Sequence, residues 1–498
     1  MTISVRNEQA EAGTFEVRSP GNGDLVGSFP MHTDEDVAAT VARARVAADW
    51  WAGLTFRERA ERLDRFRGII ARRLAQLAGI MHEETGKPHS DAVLEASLSL
   101  DHIAWAAKHA PKVLGRRRAG VSLLTANQAA SVEYRPLGVI GVIGPWNYPV
   151  FTPLGSIVYA LAAGNAVVFK PSEFTPGTGS WLVDAFAQVV PEHPVFQLIT
   201  GDGSTGAALC ASGVNKMAFT GSTTTAKKVM ASCAETLTPI VAECGGTDAL
   251  LVDSDADLDA AADAAAWAGM ANAGQSCIGT ERVYVHTDVH DAFLEKLVTV
   301  ARGQRAGTDP DATIGPITLP SQIETIRRHI NDVLRRGGRA VLGGADAIDG
   351  SLVQPCVLTD VPEDSPAVTE ETFGPMLTVS RVGDMDEAVK RTNATTYGLG
   401  AAVFSKKRGT EIADRLRCGM VAVNAVFNYP QLPSLPFGGV GDSGFGRIHG
   451  PDGLREFSFA RSTARQRFTP PLALTTFGRT AKTDSLATKI MTLLHGRH

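Results

Sequence analysis

The sequence predicts an α/β protein built on doubly wound parallel sheet. Three observations carry this. Short strands alternate with helical segments at roughly 20–30-residue spacing over residues 139–242. A second alternation starts near Ala249 and runs to about residue 435. The composition, 44% hydrophobic and 20% charged over 498 residues, is that of an ordinary globular chain and not of a disordered one. The 48 Lys and Arg against 53 Asp and Glu leave a net charge of −5. That balance argues against a dedicated nucleic-acid binder. No run approaches the length of a membrane span, and residues 1–10 lack the apolar core of a secretory signal.

The first 30 residues read as short strands around the turn cluster Pro20-Gly21-Asn22-Gly23. Thr33 can cap a helix carrying Val37, Val41 and Ala44. Thr55 can cap another, in which Leu63, Phe66, Ile70, Leu74, Leu77 and Met81 keep helical spacing. Strands then fall at 166–169, 195–200, 216–220 and 239–242, with a helix at 179–189. In the second alternation they fall at 282–285, 376–382 and 419–423. Residues 111–136 fit neither alternation and read as an extended ribbon, with Arg116, Arg117 and Arg118 as a solvated patch. Near the C-terminus Leu486, Ile490, Leu493 and Leu494 share a helical face, but a frayed end is the simpler expectation.

Residues 201–206 match GxGxxG, a phosphate-loop pattern. They do not open the first βαβ unit, however, and no acidic residue ends the next strand, so a strand-to-helix turn explains them better. The segment Phe219-Thr220-Gly221-Ser222-Thr223 also opens a helix. There Gly221 permits close backbone approach, and Ser222 offers a hydroxyl to an anion or simply caps the helix. Six cysteines form no CxxC pair, which fits reduced thiols, no metal site and a cytoplasmic setting. Cys277, in Gly274-Gln275-Ser276-Cys277-Ile278, has an irregular, accessible setting; the alternative is a small buried hydrophobe. Glu243 ends a strand just before Gly245-Gly246, where a carboxylate is mobile or catalytic, or merely a surface acid. Asn147, in Pro145-Trp146-Asn147-Tyr148-Pro149, suits a rigid oxyanion donor or an ordinary turn.

Taken together and in order, these blocks are specific. The chain resembles the aldehyde dehydrogenase superfamily over about residues 15–468. The resemblance rests on PWNYP at 145–149, KPSE at 170–173, FTGST at 219–223, ECGG at 243–246, GQSC at 274–277, EETFGP at 370–375 and PFGG at 436–439. Residues 435–441 look closer to the class 3 branch.

The resemblance implies oxidation of an aldehyde to its acid with NAD(P). Cys277 would attack the carbonyl, and Asn147 with the Cys277 N–H would hold the oxyanion. Hydride transfer would leave a thioester, which Glu243 would hydrolyse through water. Lys170 and Glu173 would meet the adenosine ribose, and Gly221 and Ser222 the pyrophosphate. Glu371 would hold the nicotinamide ribose beside Phe373, with Ile143 and Trp146 lining the channel. The Glu173 carboxylate would repel a 2′-phosphate, so NAD is expected over NADP. The substrate pocket would be Tyr148, Phe151, Ser276, Ile278, Phe427, Tyr429, Leu432 and Phe437. That set contains no Arg or Lys and favours an apolar aldehyde. Ala226, Cys244 and Thr247 depart from the family pattern without removing a catalytic group.

The implied architecture is a Rossmann-like NAD-binding domain over 1–110 and 137–248, and an α/β catalytic domain over 249–440. An oligomerisation β-ribbon would use 111–136 and 455–468, with a tail over 469–498. The ribbon implies a homodimer or homotetramer. A CoA-acylating relative would lack Glu243, and a non-catalytic binding relative would lack Cys277 or Glu243; both residues are present.

Overall fold

A computed structural model describes residues 13–122, 125–470, 472 and 474–496. Within them the chain forms two units: Met1–Val113 with Pro136–Ser458, and Leu114–Arg135 with Phe459–His498. Among the described residues, no helix is long and apolar enough to cross a membrane.

The larger unit opens with an antiparallel hairpin, Thr14–Arg18 against Leu25–Pro30, around the expected turn. Thr33 begins the helix Asp34–Gly53 with a reciprocal cap. Its hydroxyl accepts from the Asp36 N–H at 3.2 Å, and Asp36 accepts from the Thr33 N–H at 3.0 Å. Thr55 and Glu58 do the same for Phe56–Arg72. The apolar spacing expected to continue to Met81 is interrupted. Arg73 leaves helical geometry at φ −113° and ψ 24°, and a separate helix spans Leu74–Thr85. At the break Arg73 donates to Gln76 and lies 5.0 Å from the centre of the Trp181 ring.

The first large sheet runs in the order Gly444–Phe445, Ile240–Glu243, Lys216–Thr220, Val139–Ile143, Ala166–Lys170, Phe196–Leu198. All neighbours are parallel except Gly444–Phe445. Counted along the chain from Val139–Ile143, its parallel strands lie in the order 3-2-1-4-5, a Rossmann-like arrangement. Ala166–Lys170 is buried at every position, which explains its continuous apolar reading. The strand order reverses between Val139–Ile143 and Lys216–Thr220, the place where open α/β sheets take ligands.

The second sheet has seven strands in the order Arg339–Leu342, Cys356–Thr359, Met376–Val382, Thr280–His286, Asp248–Val252, Gly400–Phe404, Met420–Val423. Only Arg339–Leu342 runs antiparallel.

The ribbon is shorter than expected. Residues 111–114 belong to the helix His89–Leu114, which continues past Pro111. Burial of Ala106, Ala107, Ala110 and Leu114 outweighs the hydrogen bond that Pro111 cannot donate. Residues 455–456 likewise close the helix Gly450–Glu456. What remains is a three-stranded sheet in the order Ser458–Gln466, Gln128–Pro136, Arg117–Ala119. The expected frayed end is instead a helix, Ala481–His495, capped by Thr480 and with no buried side chain.

Candidate active site

Loops from both large sheets converge on Cys277. Glu243 is the last residue of Ile240–Glu243, and its carboxyl group is buried. The turn that follows needs its glycines: a Cβ on Gly245 would lie 2.0 Å from Glu371 Oε1. Glu371 comes from the loop before Met376–Val382 and accepts from the Gly246 N–H at 3.1 Å. Beside it, Phe373 donates its N–H to Glu281 Oε1 at 2.8 Å. Its ring meets Trp146 edge-on at 5.6 Å. Cys244, next to Glu243, is buried, and burial raises its thiol to about 11.

The chain reaches Cys277 through three consecutive left-handed residues, Asn272 (φ 52°), Ala273 (φ 57°) and Gly274 (φ 68°). Such a run persists only where the surroundings enforce it. Gly274 has no alternative, since a Cβ there would lie 2.1 Å from the Gly374 carbonyl oxygen. The bend is tied to Asn147: Asn272 Nδ2 donates to the Asn147 and Gln275 carbonyls at 3.1 and 3.3 Å. Asn147 Nδ2 donates to the Gln275 carbonyl at 2.9 Å. Thus the amide stands two residues from Cys277.

Lys87 completes the clamp. It is fully buried, and its Nζ donates to Glu95 at 2.6 Å and to the Asn147 carbonyl at 2.7 Å. Glu95 Oε1 in turn accepts from the N–H groups of Val150 and Phe151.

Cys277 lines an apolar cavity with Tyr148, Phe151, Ser276, Ile278, Phe427 and Phe437, all of them expected there. Leu94, Leu98, Trp267 and Pro430 extend its walls. Two expectations need correction. Tyr429 does not line this cavity; it packs beside Asp248 and Gly400, and a Cβ on Gly400 would lie 2.5 Å from its hydroxyl. Leu432 is absent from the wall and 49% exposed; its backbone bonds to Tyr429 and Leu435 in the loop after Phe427. The wall also contains Lys87, Asp91 and Glu95, which the sequence reading missed. A Lys before a Pro carries no such signal until the fold joins the segments.

The carboxyl ends of neighbouring strands gather the other expected residues. Ile143 ends one strand and Lys170 the next. The buried Lys170 ammonium donates to the Pro171 carbonyl at 3.0 Å, and burial lowers its proton affinity. Glu173 is exposed and accepts from the Ser172 hydroxyl at 3.1 Å. Gly221 follows Lys216–Thr220, and Ser222 caps the helix Thr223–Glu235. Ala226 is buried in that helix. The GxGxxG segment lies at the same edge: a Cβ on Gly206 would touch Lys170 and Ile143 side chains at 3.6 and 3.7 Å. Its Asp202 caps the helix Gly203–Ala211.

The site is electrostatically unusual. Burial raises Glu243 and Asp248 well above the ordinary carboxylate range. Burial and the Glu281 charge push Glu371 to about 8, and burial pushes Glu281 to about 7. The Cys277 thiol is raised by burial first, then by Glu371, Asp248 and Glu243. Several groups poised to exchange protons therefore surround one thiol. Thr247 is buried beside them with its hydroxyl unpartnered.

A Rossmann-like sheet that feeds a thiol beside several buried carboxyl groups, of which Glu243 has neither oxygen hydrogen-bonded, has the layout of an α/β oxidoreductase. The sequence model of the aldehyde dehydrogenase family matches residues 7–463. A 4,4′-diapolycopene aldehyde oxidase of Methylomonas sp is 36% identical, over 91% of this chain and 86% of its own. A 3-sulfolactaldehyde dehydrogenase of Pseudomonas putida is 33% identical, over 90% and 93%. The crystal structure of an NAD-dependent aldehyde dehydrogenase from Sinorhizobium meliloti superposes with a TM-score of 0.89 at 31% identity, covering 94% and 95%. The chain belongs to the aldehyde dehydrogenase family, whose NAD(P)-dependent enzymes oxidise aldehydes to carboxylic acids.

Proposed function

We propose that Cys277 is the nucleophile of this oxidation, Asn147 its oxyanion donor and Glu243 its hydrolytic base. The observation that carries the reading is the place of Cys277. It lines both the apolar cavity and a smaller one that contains Glu243. A thiolate there adds to the aldehyde carbon, and the growing negative charge on oxygen needs fixed donors. The Cys277 N–H is one. Asn147 is the other: one amide hydrogen is anchored on Gln275, and the second meets no acceptor among the described residues. Lys87 and Asn272 grip the same residue by its carbonyl, so the donor is preorganised. Glu243 then takes a proton from the water that releases the acyl group.

The residues at the strand ends suit a dinucleotide. Ile143, Lys170, Gly221 and Ser222 line one edge of the sheet, and Ser222 opens a helix whose N-terminus favours phosphate. Bound there, NAD(P) supplies the hydride acceptor. Lys170 and Glu173 would hold the adenosine ribose, Glu371 the nicotinamide ribose, and Trp146 and Phe373 the ring beside it. The Glu173 carboxylate favours NAD over NADP by like-charge repulsion of a 2′-phosphate. On this reading the cofactor domain runs over about 1–110 and 137–248 and the catalytic domain over about 249–440, with the strand Asp248–Val252 straddling the boundary.

An apolar aldehyde fits best. The lone lysine in the cavity wall is already paired with Glu95, so it cannot clamp a substrate carboxylate. The Methylomonas relative is named for a diapolycopene aldehyde, which agrees, whereas the Pseudomonas relative is named for sulfolactaldehyde. The ribbon suits a homodimer or homotetramer, and scattered free thiols suit the cytoplasm. The test is Cys277→Ala with an aliphatic aldehyde and NAD, with and without CoA. Turnover should vanish while NAD binding persists. Retained turnover overturns the assignment, and dependence of the wild type on CoA overturns hydrolysis.

A further inference from the structure

Beside Cys277 lies a small, largely enclosed cavity of about 20 Å³, lined by Glu243, His449, Phe151, Leu399 and Phe437 among others. That is room for about one water molecule, which needs at least two polar partners to stay. Two are present and otherwise unused. Neither carboxylate oxygen of the buried Glu243 has a hydrogen-bond partner, and neither ring nitrogen of His449 has one. Leaving both dry would cost the desolvation of each, so a bound water is the economical explanation.

His449 is held there at some strain. Its backbone has φ 62° and ψ 165°, a region that glycine alone adopts freely. Its ring packs 4.0 Å from His102, with Phe437 and Phe151 at 5.5 and 5.6 Å. A Cβ on Gly155 would lie 2.5 Å from His449 Nε2, so that glycine makes space for the imidazole. Burial and the adjacent His102 keep His449 neutral, and burial holds His102 at about 4. A neutral imidazole offers one N–H and one lone pair.

We propose that His449 is the second anchor of the hydrolytic water, holding it with Glu243 against the acyl group on Cys277. This rests on the roles assigned to Cys277 and Glu243 above. In the step, the water oxygen bonds to the thioester carbon and one water proton passes to Glu243. The C–S bond then breaks, its electron pair stays on sulfur, and the proton is returned to the thiolate as the acid departs. Nothing is oxidised or reduced. The His449 lone pair accepts the other water hydrogen and so turns an oxygen lone pair toward the carbon.

The experiment compares wild type, His449→Leu and His449→Asn by rapid mixing with an aliphatic aldehyde and NAD. His449→Leu should keep an NADH burst near one per site, then turn over about tenfold or more slowly, with KM falling alongside kcat so that kcat/KM is little changed. Acid-quenched His449→Leu should carry the acyl group on Cys277 by mass spectrometry. His449→Asn keeps a hydrogen-bonding group and tolerates positive φ, so it should recover most of the turnover. If His449→Leu does not fold, His449→Ala is read in the same way. Wild-type turnover in the apolar variant, or slow turnover without trapped acyl-enzyme, overturns the proposal. If Cys277→Ala still gives a burst, the underlying assignment fails instead.

Discussion

Glu243 links geometry to pH. Burial raises its carboxyl group well above the ordinary range; Arg447 offsets part of this and Glu456 adds to it. A base acts in its ionised form, so kcat should rise with pH through a midpoint above ordinary carboxylate values and fall below it. Glu243→Gln keeps the shape and removes the basicity. Steady-state turnover should drop roughly 10²–10⁴-fold and the acid limb should disappear, while the NADH burst survives. A variant with normal turnover and an unchanged acid limb would remove Glu243 from the mechanism. At this scale the contiguous blocks are the legible part of the site: Cys277, Glu243 and Asn147 are each ambiguous from their immediate neighbours and stand out only through the ordered set of blocks that carries the family resemblance. Lys87 does not, because its contact with Asn147 joins segments 60 residues apart. His449 is equally silent, since its meaning lies in a cavity shared with Glu243 and not in the Ile448-His449-Gly450 sequence.

At the scale of elements, helix starts are legible and helix ends are not. Thr33 and Thr55 cap through residues three positions on, a local chemistry. The passage through Pro111 goes with burial of Ala106, Ala107, Ala110 and Leu114, which no local signal at the proline announces. The ribbon shows a further non-local feature. Slight burial pushes the Glu133 carboxyl up, but hydrogen bonds from Arg116, Arg135 and Arg461 outweigh it and hold it at about 2. Its folded value therefore lies below the ordinary one near 4.5. Its contribution to ribbon stability is present above pH 4.5 and is lost as pH falls toward 2. Hydrogen exchange of Gln128–Pro136 should show more protection in wild type than in Glu133→Gln at pH 5.5. The difference should shrink as the pH falls below 4.5. Equal protection at pH 5.5 would mean that the guanidinium cluster adds nothing to the ribbon.

For the whole molecule, the alternation of strand and helix is enough to predict parallel α/β sheet, because parallel strands need crossovers and buried strands read as apolar runs; the strand order, and strands such as Cys356–Thr359 and Gly400–Phe404, emerge only in the fold. Assembly is a different kind of question, one that the ribbon raises directly. Ser458–Gln466 is an edge strand, nearly all exposed. A long uncovered edge pairs with another chain unless something blocks it. Arg461 and Arg465 stand on this strand and could serve as blocking charges, but Arg461 is already committed to Glu133. Alternate residues of an edge strand turn their N–H groups inward and outward. Of Thr463→Pro and Ala464→Pro, one therefore disrupts the ladder to Gln128–Pro136, and the other removes a donor only from the open edge. Hydrogen exchange of Gln128–Pro136 identifies the second. If the edge pairs subunits, wild type should sediment as a dimer or tetramer, and that second variant should fall to the mass of one chain with its ribbon still protected. An unchanged mass would show that the subunits associate through another surface, and a monomeric wild type would leave the charged edge as its own guard.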